Sequence, residues 1–489
     1  MKQYIVLLLI LISITFGSCK KDFLNVNNTQ QLFRESYVKD LPSMQEYLNG
    51  VYYNIGKFFE EGMAVAYPDL IADNLRLLSP SSSHLMISHY NWVQVSDGTD
   101  VQQNIASNPT ASAMDPLWRT GYTLIRSLSF IIEDIGKYHR ENPIKANDIK
   151  GQALAIRAYI YFKLANTFAQ SYNYSANGAH AGIPYITTSD ITQPYTRQTV
   201  AEVYAGMIND LTAAIELLPA AATDLRNMNR NAAKALLART YLYKEDYAQS
   251  KKIAAEITEQ VPLMTITAGY PTDLFKLKPS TQTETLFQIS PGVENYFLGL
   301  WLGNVDWGIR FVATNDIADL LIENPDDIRK DWIKDSIIEG SAFRLIKKFP
   351  KGVTPEVNPV PDPPDIAYYS PVIRSSEMFL TIAEAAAKLG DENTARLHLD
   401  ALRKRAAPTI ASITATGSAL LDSIYKERRK ELAFEGLRMY DLQRWKKGVN
   451  RMDYMPGSPS TLPYPSDKAI APIPLSDVKG AGLPQNKNY

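Results

Sequence analysis

The chain has 489 residues, 45% of them hydrophobic and 21% charged, a composition that folds and does not stay disordered. With 51 basic residues against 52 acidic ones, the formal charge of −1 excludes the basic field that holds a nucleic-acid backbone. The single cysteine, Cys19, excludes an internal disulfide and a cysteine-built metal cluster.

The N-terminus pairs a short positive start, Met1-Lys2, with an almost wholly apolar run over residues 4–14. That run is too short to span a bilayer and reads as the apolar region of a signal peptide. Gly17 and Ser18 stand directly before Cys19, and charge returns at Lys20, Lys21 and Asp22. Small residues ahead of a cysteine are similar to a bacterial lipobox, where cleavage before the cysteine leaves its sulfur to carry a diacylglyceryl group. The expected organisation is a signal peptide over 1–18, a lipidated polar tether over 19–43 and one folded domain over 44–489. Acyl chains such as palmitate, at about 0.8 kcal/mol per buried CH₂, would anchor the mature protein without a spanning helix. Lys20 stands where an Asp would retain a lipoprotein at the inner membrane, so outer-membrane sorting is expected.

Four segments then carry apolar residues at helical spacing: 149–169, 201–218, 231–261 and 376–406. In the second, Thr199 and Glu202 are spaced as a capping box and Pro219 forbids continuation. The third reads as two helices broken near Glu245, the fourth as two broken at Gly390-Asp391. Ala238, Tyr241, Ser250, Ala254, Ile257 and Pro262 are spaced by 3, 9, 4, 3 and 5. Ala383, Ala386, Ala395, Leu399 and Leu402 repeat the 3, 9, 4 and 3 of that series, and Met207, Leu211, Ala214 and Pro219 match its second half. Small side chains at such positions let antiparallel helices approach closely. The expected fold is therefore all-α, a TPR-like helix-turn-helix scaffold with long irregular loop insertions. Those insertions are 79–113, 278–311 and 349–371; the aromatics of the first two argue for function and against disorder.

Catalytic signatures are missing: there is no G-x-S-x-G, P-loop, H-E-x-x-H or G-x-G-x-x-G, and the five histidines are scattered. No catalytic residue, metal site or cofactor is expected. Asp97-Gly98-Thr99-Asp100 lacks the remaining ligands of an EF-hand loop, so a structural Ca²⁺ is left open without being indicated. Glu427, Glu431 and Glu435 fall one turn apart on a helix face, interleaved with Arg428, Arg438 and Arg444. We read these as charge-assisted bonds that pin helix to helix and not as acid–base machinery. Trp445, with Leu432, Phe434 and Leu442, is expected to be buried in an apolar stripe.

Five blocks carry a family resemblance. Ala155, Arg157, Ala158, Tyr161 and Phe162 stand in the spacing A-x-R-A-x-x-Y-F. Ala235, Ala238, Arg239 and Tyr241 form a second block, and Arg374, Glu377, Ala383 and Glu384, running on to Arg405, a third. The fourth and most specific runs over 427–445; the fifth joins Pro472-Ile473-Pro474 to the final 485–489. In this order, behind a lipobox, they resemble the SusD/RagB family over nearly the whole mature chain. That resemblance implies a non-enzymatic, lipid-anchored outer-membrane protein at the cell surface. Its partner would be a SusC-like TonB-dependent β-barrel transporter, which it caps like a lid and supplies with captured oligosaccharide. Peptide capture of the RagB kind stays open beside the glycan reading, as does an all-helical glycoside hydrolase built on a carboxylate pair. A helical scaffold without a small ligand is a further alternative.

The resemblance also implies that ligand contacts come from loops outside the shared blocks. Sugar rings stack their C–H faces on flat aromatic side chains, and their hydroxyls seek amides and carboxylates. The expected ligand contacts are therefore Asn74, Trp92, Tyr296, Trp301 and Trp307, with Asp73, Asn91, Gln94, Asn295, Asn304 and Asp306 nearby in sequence.

Overall fold

The computed structural model describes residues 37–60, 64–78, 86–94, 114–221, 224–266, 270, 274, 284–289, 311–338, 340–349 and 370–489. Its first half runs α1 (Leu41–Glu60), α2 (Ala66–Leu70), β1 (Leu75–Leu77), α3 (Ile87–Tyr90), α4 (Asp115–Asp134) and α5 (Pro143–Phe168). Asn142 starts α5 by accepting the backbone N–H of Lys145 at 3.0 Å, and Pro143 costs nothing at the first helical position. Ala153, Ile156, Ile160, Tyr161 and Leu164 of α5 are buried, and so are the residues between them, including Arg157 and Lys163. A stretch buried on every side belongs in the centre, and α5 packs against α1, α4 and α6 (Val200–Leu217). The expected capping box opens α6: Thr199 accepts from Glu202 N at 3.2 Å while the Glu202 carboxylate accepts from Thr199 N at 2.8 Å.

Two hairpins extend the array. The first joins α7 (Arg230–Tyr243) to α8 (Tyr247–Gln260). Ser250 donates to the Ala238 carbonyl at 2.8 Å, a contact that only a small residue at this crossing allows. After β2 (Thr285–Ile289), β3 (Phe311–Ala313), α9 (Asn315–Ile322), β4 (Ile333–Ile338), β5 (Ser341–Ile346) and β6 (Ser370–Arg374) comes the second, α10 (Ser375–Lys388) with α11 (Glu392–Ala406). The helices α12 (Gly417–Glu431) and α13 (Arg438–Arg444), the two-residue strands β7 (Val449–Asn450) and β8 (Thr461–Leu462), and α14 (Leu475–Gly480) complete the chain. Helices dominate, as the periodicity predicts.

Small sheets accompany the helical scaffold, and the periodicity does not predict them. Among the described residues three small antiparallel sheets form, in the orders β1-β3-β5-β4, β2-β6 and β7-β8, and β2 falls inside a stretch read from sequence as irregular. Strands this short show too few alternations to register, and their partners are remote: Leu75 faces Ala313, and Thr285 faces Arg374.

Buried ion pairs fasten these elements to one another. Glu431, with no exposed surface, meets Arg329 at 3.1 Å, Arg374 at 2.9 Å and Arg405 at 2.8 Å. Arg239 pairs with Glu377 at 2.5 Å, Arg428 with Asp441 at 2.8 Å, and Arg444 with Glu384 at 2.5 Å. Burial pushes the Glu377 carboxyl up, but Arg239 and Arg428 beside it outweigh burial and hold it below the usual range. The pairing role read from sequence is observed, with two corrections. The α12 helix ends at Glu431, so Glu435 is not on the same face; Phe434 (φ 67°) and Gly436 (φ 74°) turn the chain away. A Cβ at Gly436 would lie 2.7 Å from the Val65 Cα, so only glycine fits there.

The second correction is Trp445, which is half-buried at the edge of this web and not inside an apolar stripe. It caps α13, stacks on Tyr425 with centroids 4.0 Å apart, and donates its indole N–H to Glu384 at 3.0 Å. Leu432, Phe434 and Leu442 are buried in the main core without it.

Candidate ligand-binding site

The residues predicted to meet ligand begin on the turn from α2 into β1. Asp69 is fully buried; its carboxylate accepts from Asn74 Nδ2 at 2.6 Å and from Gly436 N at 2.7 Å. Burial lifts this carboxyl to about 6, against the pull of those hydrogen bonds and of Lys163. Lys163 itself, pulled down to about 7 by burial, donates to the carbonyls of Ala64 and Gly436 at 3.0 and 3.1 Å. Asn74 is 1% exposed, and its other amide atom accepts from Arg429 Nε at 2.9 Å. Next to it, Asp73 takes Arg438 in a two-bond fork at 2.7 and 2.9 Å. Burial pushes Asp73 up, yet Arg438 and Arg429 outweigh it and hold the carboxyl well below its usual range.

Trp92 lies on the same shelf and is 5% exposed. It follows α3 in the left-handed conformation (φ 56°), where Trp92 N bonds the His89 carbonyl and Val93 N the Ser88 carbonyl. Glycine usually takes this helix-ending position. Here packing holds the strained residue: the indole N–H donates to the Ile71 carbonyl at 2.9 Å, and the Arg451 guanidinium sits 4.1 Å from the ring centre. Arg451 also lies 4.0 Å from the Tyr90 ring and donates to the carbonyls of Leu70, Ala72 and Tyr90. The sequence reading missed Arg451. No local signal could have found it, because everything it touches among these groups lies in the first 92 residues.

Asn74 and Trp92 thus sit beneath the surface, their polar groups satisfied inside the protein. What they do locally is hold loop ends. Thr314, just after β3, donates from its backbone to Asn74 O at 3.0 Å and from its hydroxyl to Asp73 O at 2.8 Å. Leu77 pairs with Phe311, so segments 79–85 and 290–310 attach at the same end of the β1–β3 ladder. Segment 95–113 leaves from Gln94, which is buried and donates to Ile470 O at 2.8 Å and Tyr489 OH at 2.9 Å. The C-terminal block therefore serves the same shelf. Asn91 is half-buried. Tyr296, Trp301 and Trp307, with Asn295, Asn304 and Asp306, lie outside the described residues, as does Cys19.

Among the described residues, no three His, Cys, Asp or Glu side chains converge as a metal site. His89 is buried and held neutral, its pKa lowered by burial to about 3. Among the same residues, no helix is long and apolar enough to cross a membrane.

Comparison with known proteins gives a consistent picture. A family model described as starch-binding and associating with the outer membrane matches residues 22–242, and a model of the SusD family matches 344–471. A protein of Bacteroides vulgatus provisionally named as sugar binding is 26% identical, with 93% of this chain and 99% of that chain covered and a TM-score of 0.77. A SusD superfamily protein from the same organism is 24% identical over 92% of this chain and 100% of its own, with a TM-score of 0.79. A laminarin binding SusD-like protein, 21% identical, covers 92% of this chain and 100% of its own with a TM-score of 0.68. The last two speak to the fold alone. Among curated proteins no match was found.

Proposed function

The chain belongs to the SusD/RagB family of outer-membrane-associated, carbohydrate-binding proteins, and from that premise we propose that it captures an oligosaccharide at the cell surface. It acts by binding and not by catalysis. Lipid on Cys19 tethers it to the outer membrane, and a SusC-like TonB-dependent β-barrel receives the ligand. The observation that carries this reading is the common seat of three loop segments, one of them rich in aromatics and a second rich in amides, on the shelf of Asp73, Asn74 and Trp92. In this reading Tyr296, Trp301 and Trp307 contact the sugar, while Asn74 and Trp92 serve as positioning residues that keep the loop ends fixed. Such pre-organisation spares the ordering cost that binding would otherwise meet.

Laminarihexaose is the first probe, given the laminarin binding relative, with maltoheptaose second. Replacing Trp301 or Trp307 by Ala should weaken calorimetric affinity for the bound glucan by about tenfold or more at unchanged Tm. Loss of stability with unchanged affinity in both variants would move the site elsewhere. Cys19→Ala should release the protein from the membrane fraction with its fold intact; a processed variant still firmly membrane-bound would contradict the anchor.

A further inference from the structure

A second concave surface lies where the turn after α5, the α7–α8 turn, the end of α10 and Lys446, just beyond α13, meet. It encloses about 760 Å³, within the roughly 300–1,000 Å³ of pockets that take small ligands. Among the described residues its lining comes from 172–177, 244–248, Leu389 and Lys446.

Three helices end at this cleft with the same pair of hydrogen bonds. Gly390 N bonds Ala387 O and Asp391 N bonds Ala386 O after α10; Glu245 N bonds Leu242 O and Asp246 N bonds Tyr241 O after α7. After α13, Lys446 N bonds Gln443 O and Lys447 N bonds Leu442 O. The motif needs a left-handed residue, and α10 supplies glycine (φ 81°). The other two place Glu245 (φ 65°) and Lys446 (φ 55°) there, conformations that cost an L side chain energy. Asn177, also lining the cleft, is a third at φ 55°. Packing explains the same strain at Trp92 but not here, since Asn177, Glu245 and Lys446 are all exposed. The side chains of Asn177 and Lys446 have no hydrogen-bond partner among the described residues. What distinguishes these positions from Gly390 is that each puts a polar side chain into the cleft.

The remaining lining includes three tyrosines, Tyr172, Tyr174 and Tyr247, beside polar side chains. Tyr174, 37% exposed, meets His180 edge-on at 5.1 Å, and His180 is fixed by Ser175 Oγ at 2.8 Å and the Gln170 carbonyl at 3.1 Å. Tyr172 is half-buried against Tyr204 at 5.3 Å. Asn173 donates to Glu245 Oε1 at 2.8 Å and to the Arg444 carbonyl at 2.7 Å, so three of the four segments are tied together without a ligand. Lys244 and Lys446 are balanced by Glu245 and Asp246. Balanced charge disfavours an anionic ligand; donors and acceptors beside a rigid tyrosine face suit hydroxyls and C–H faces.

We propose that this cleft is a second saccharide site, taking a neutral oligosaccharide independently of the loop shelf. It rests on the reading of the protein as a glycan binder and adds a site to it. The test is hydrogen–deuterium exchange of the whole protein with laminarihexaose, maltoheptaose, cellohexaose, mannohexaose and xylohexaose. At least one should protect peptides spanning 172–177 and 244–248, and Trp301→Ala should leave that protection unchanged. Tyr174→Ala should weaken it by about tenfold in ligand concentration. Lys446→Gly keeps the left-handed backbone while deleting the side chain, so weakened protection at an equal or higher Tm would not reflect misfolding. Protection confined to the loop segments overturns the second site and leaves the proposed function standing; protection nowhere overturns both. Cleft protection that is unchanged in the Tyr174→Ala, Lys446→Gly double variant also overturns the proposal.

Discussion

Glu431 is the residue on which the scaffold converges, because three arginines from remote parts of the chain meet its one carboxylate. A buried pair of this kind contributes little net stability, since desolvation offsets the attraction, but removing one partner leaves an unpaired charge inside the protein. Arg374→Met strips charge from Glu284, Glu431 and Glu435 together and should cost about 3–5 kcal/mol in denaturant unfolding. A loss below 1 kcal/mol would mean the carboxylates find water. Trp445→Ala should cost only about 2 kcal/mol, less than the roughly 3–5 kcal/mol of a fully buried tryptophan, because its ring is half exposed. The chemistry of the 427–445 block was legible from its alternating charges. Its partners were not: helical spacing reveals neighbours three or four residues away, while Glu431 reaches Arg329 and Arg374.

Elements with a strong local signal were the ones legible in sequence. The Thr199–Glu202 box, the break at Glu245 and the turn at Gly390 all stand where spacing placed them. Thr199→Ala should therefore cost about 1 kcal/mol, read from chemical denaturation. Lys446→Gly should do the opposite and stabilise by about 0.5–1 kcal/mol, because glycine relieves the left-handed strain. A destabilised glycine variant would show that the lysine side chain serves the fold. The strands lacked such signals, and Trp92 shows the same limit at the site. Its loop-like surroundings suggested an exposed ring, but Arg451, which covers that ring, comes from the far end of the chain.

For the molecule as a whole, buried carboxylates divide into two groups with opposite pH dependence. Asp69, raised from 3.8 to about 6 by burial, keeps a proton that the unfolded chain has already released. Its contribution is complete below about pH 4 and is lost as pH rises through 6. Asp327 is the reverse. Burial pushes it up, but Arg329 and Lys430 outweigh that and hold it at about 2, so its contribution is complete above about pH 4 and lost as pH falls through 2. Asp69→Asn should flatten the decline in stability between pH 4.5 and 7 by about 2–3 kcal/mol. An unchanged profile would mean that Asp69 is ionised in the native state throughout.

In the function proposed above, the shelf and the web of ion pairs form a platform that holds a glycan without cleaving it. Calorimetric titration of the intact protein with laminarihexaose and maltoheptaose, with the sugar recovered and weighed by mass spectrometry afterwards, tests that claim most directly. The account predicts saturable binding of at least one glucan and its recovery at full length. Absence of binding by both, or recovery of shortened products, would contradict it.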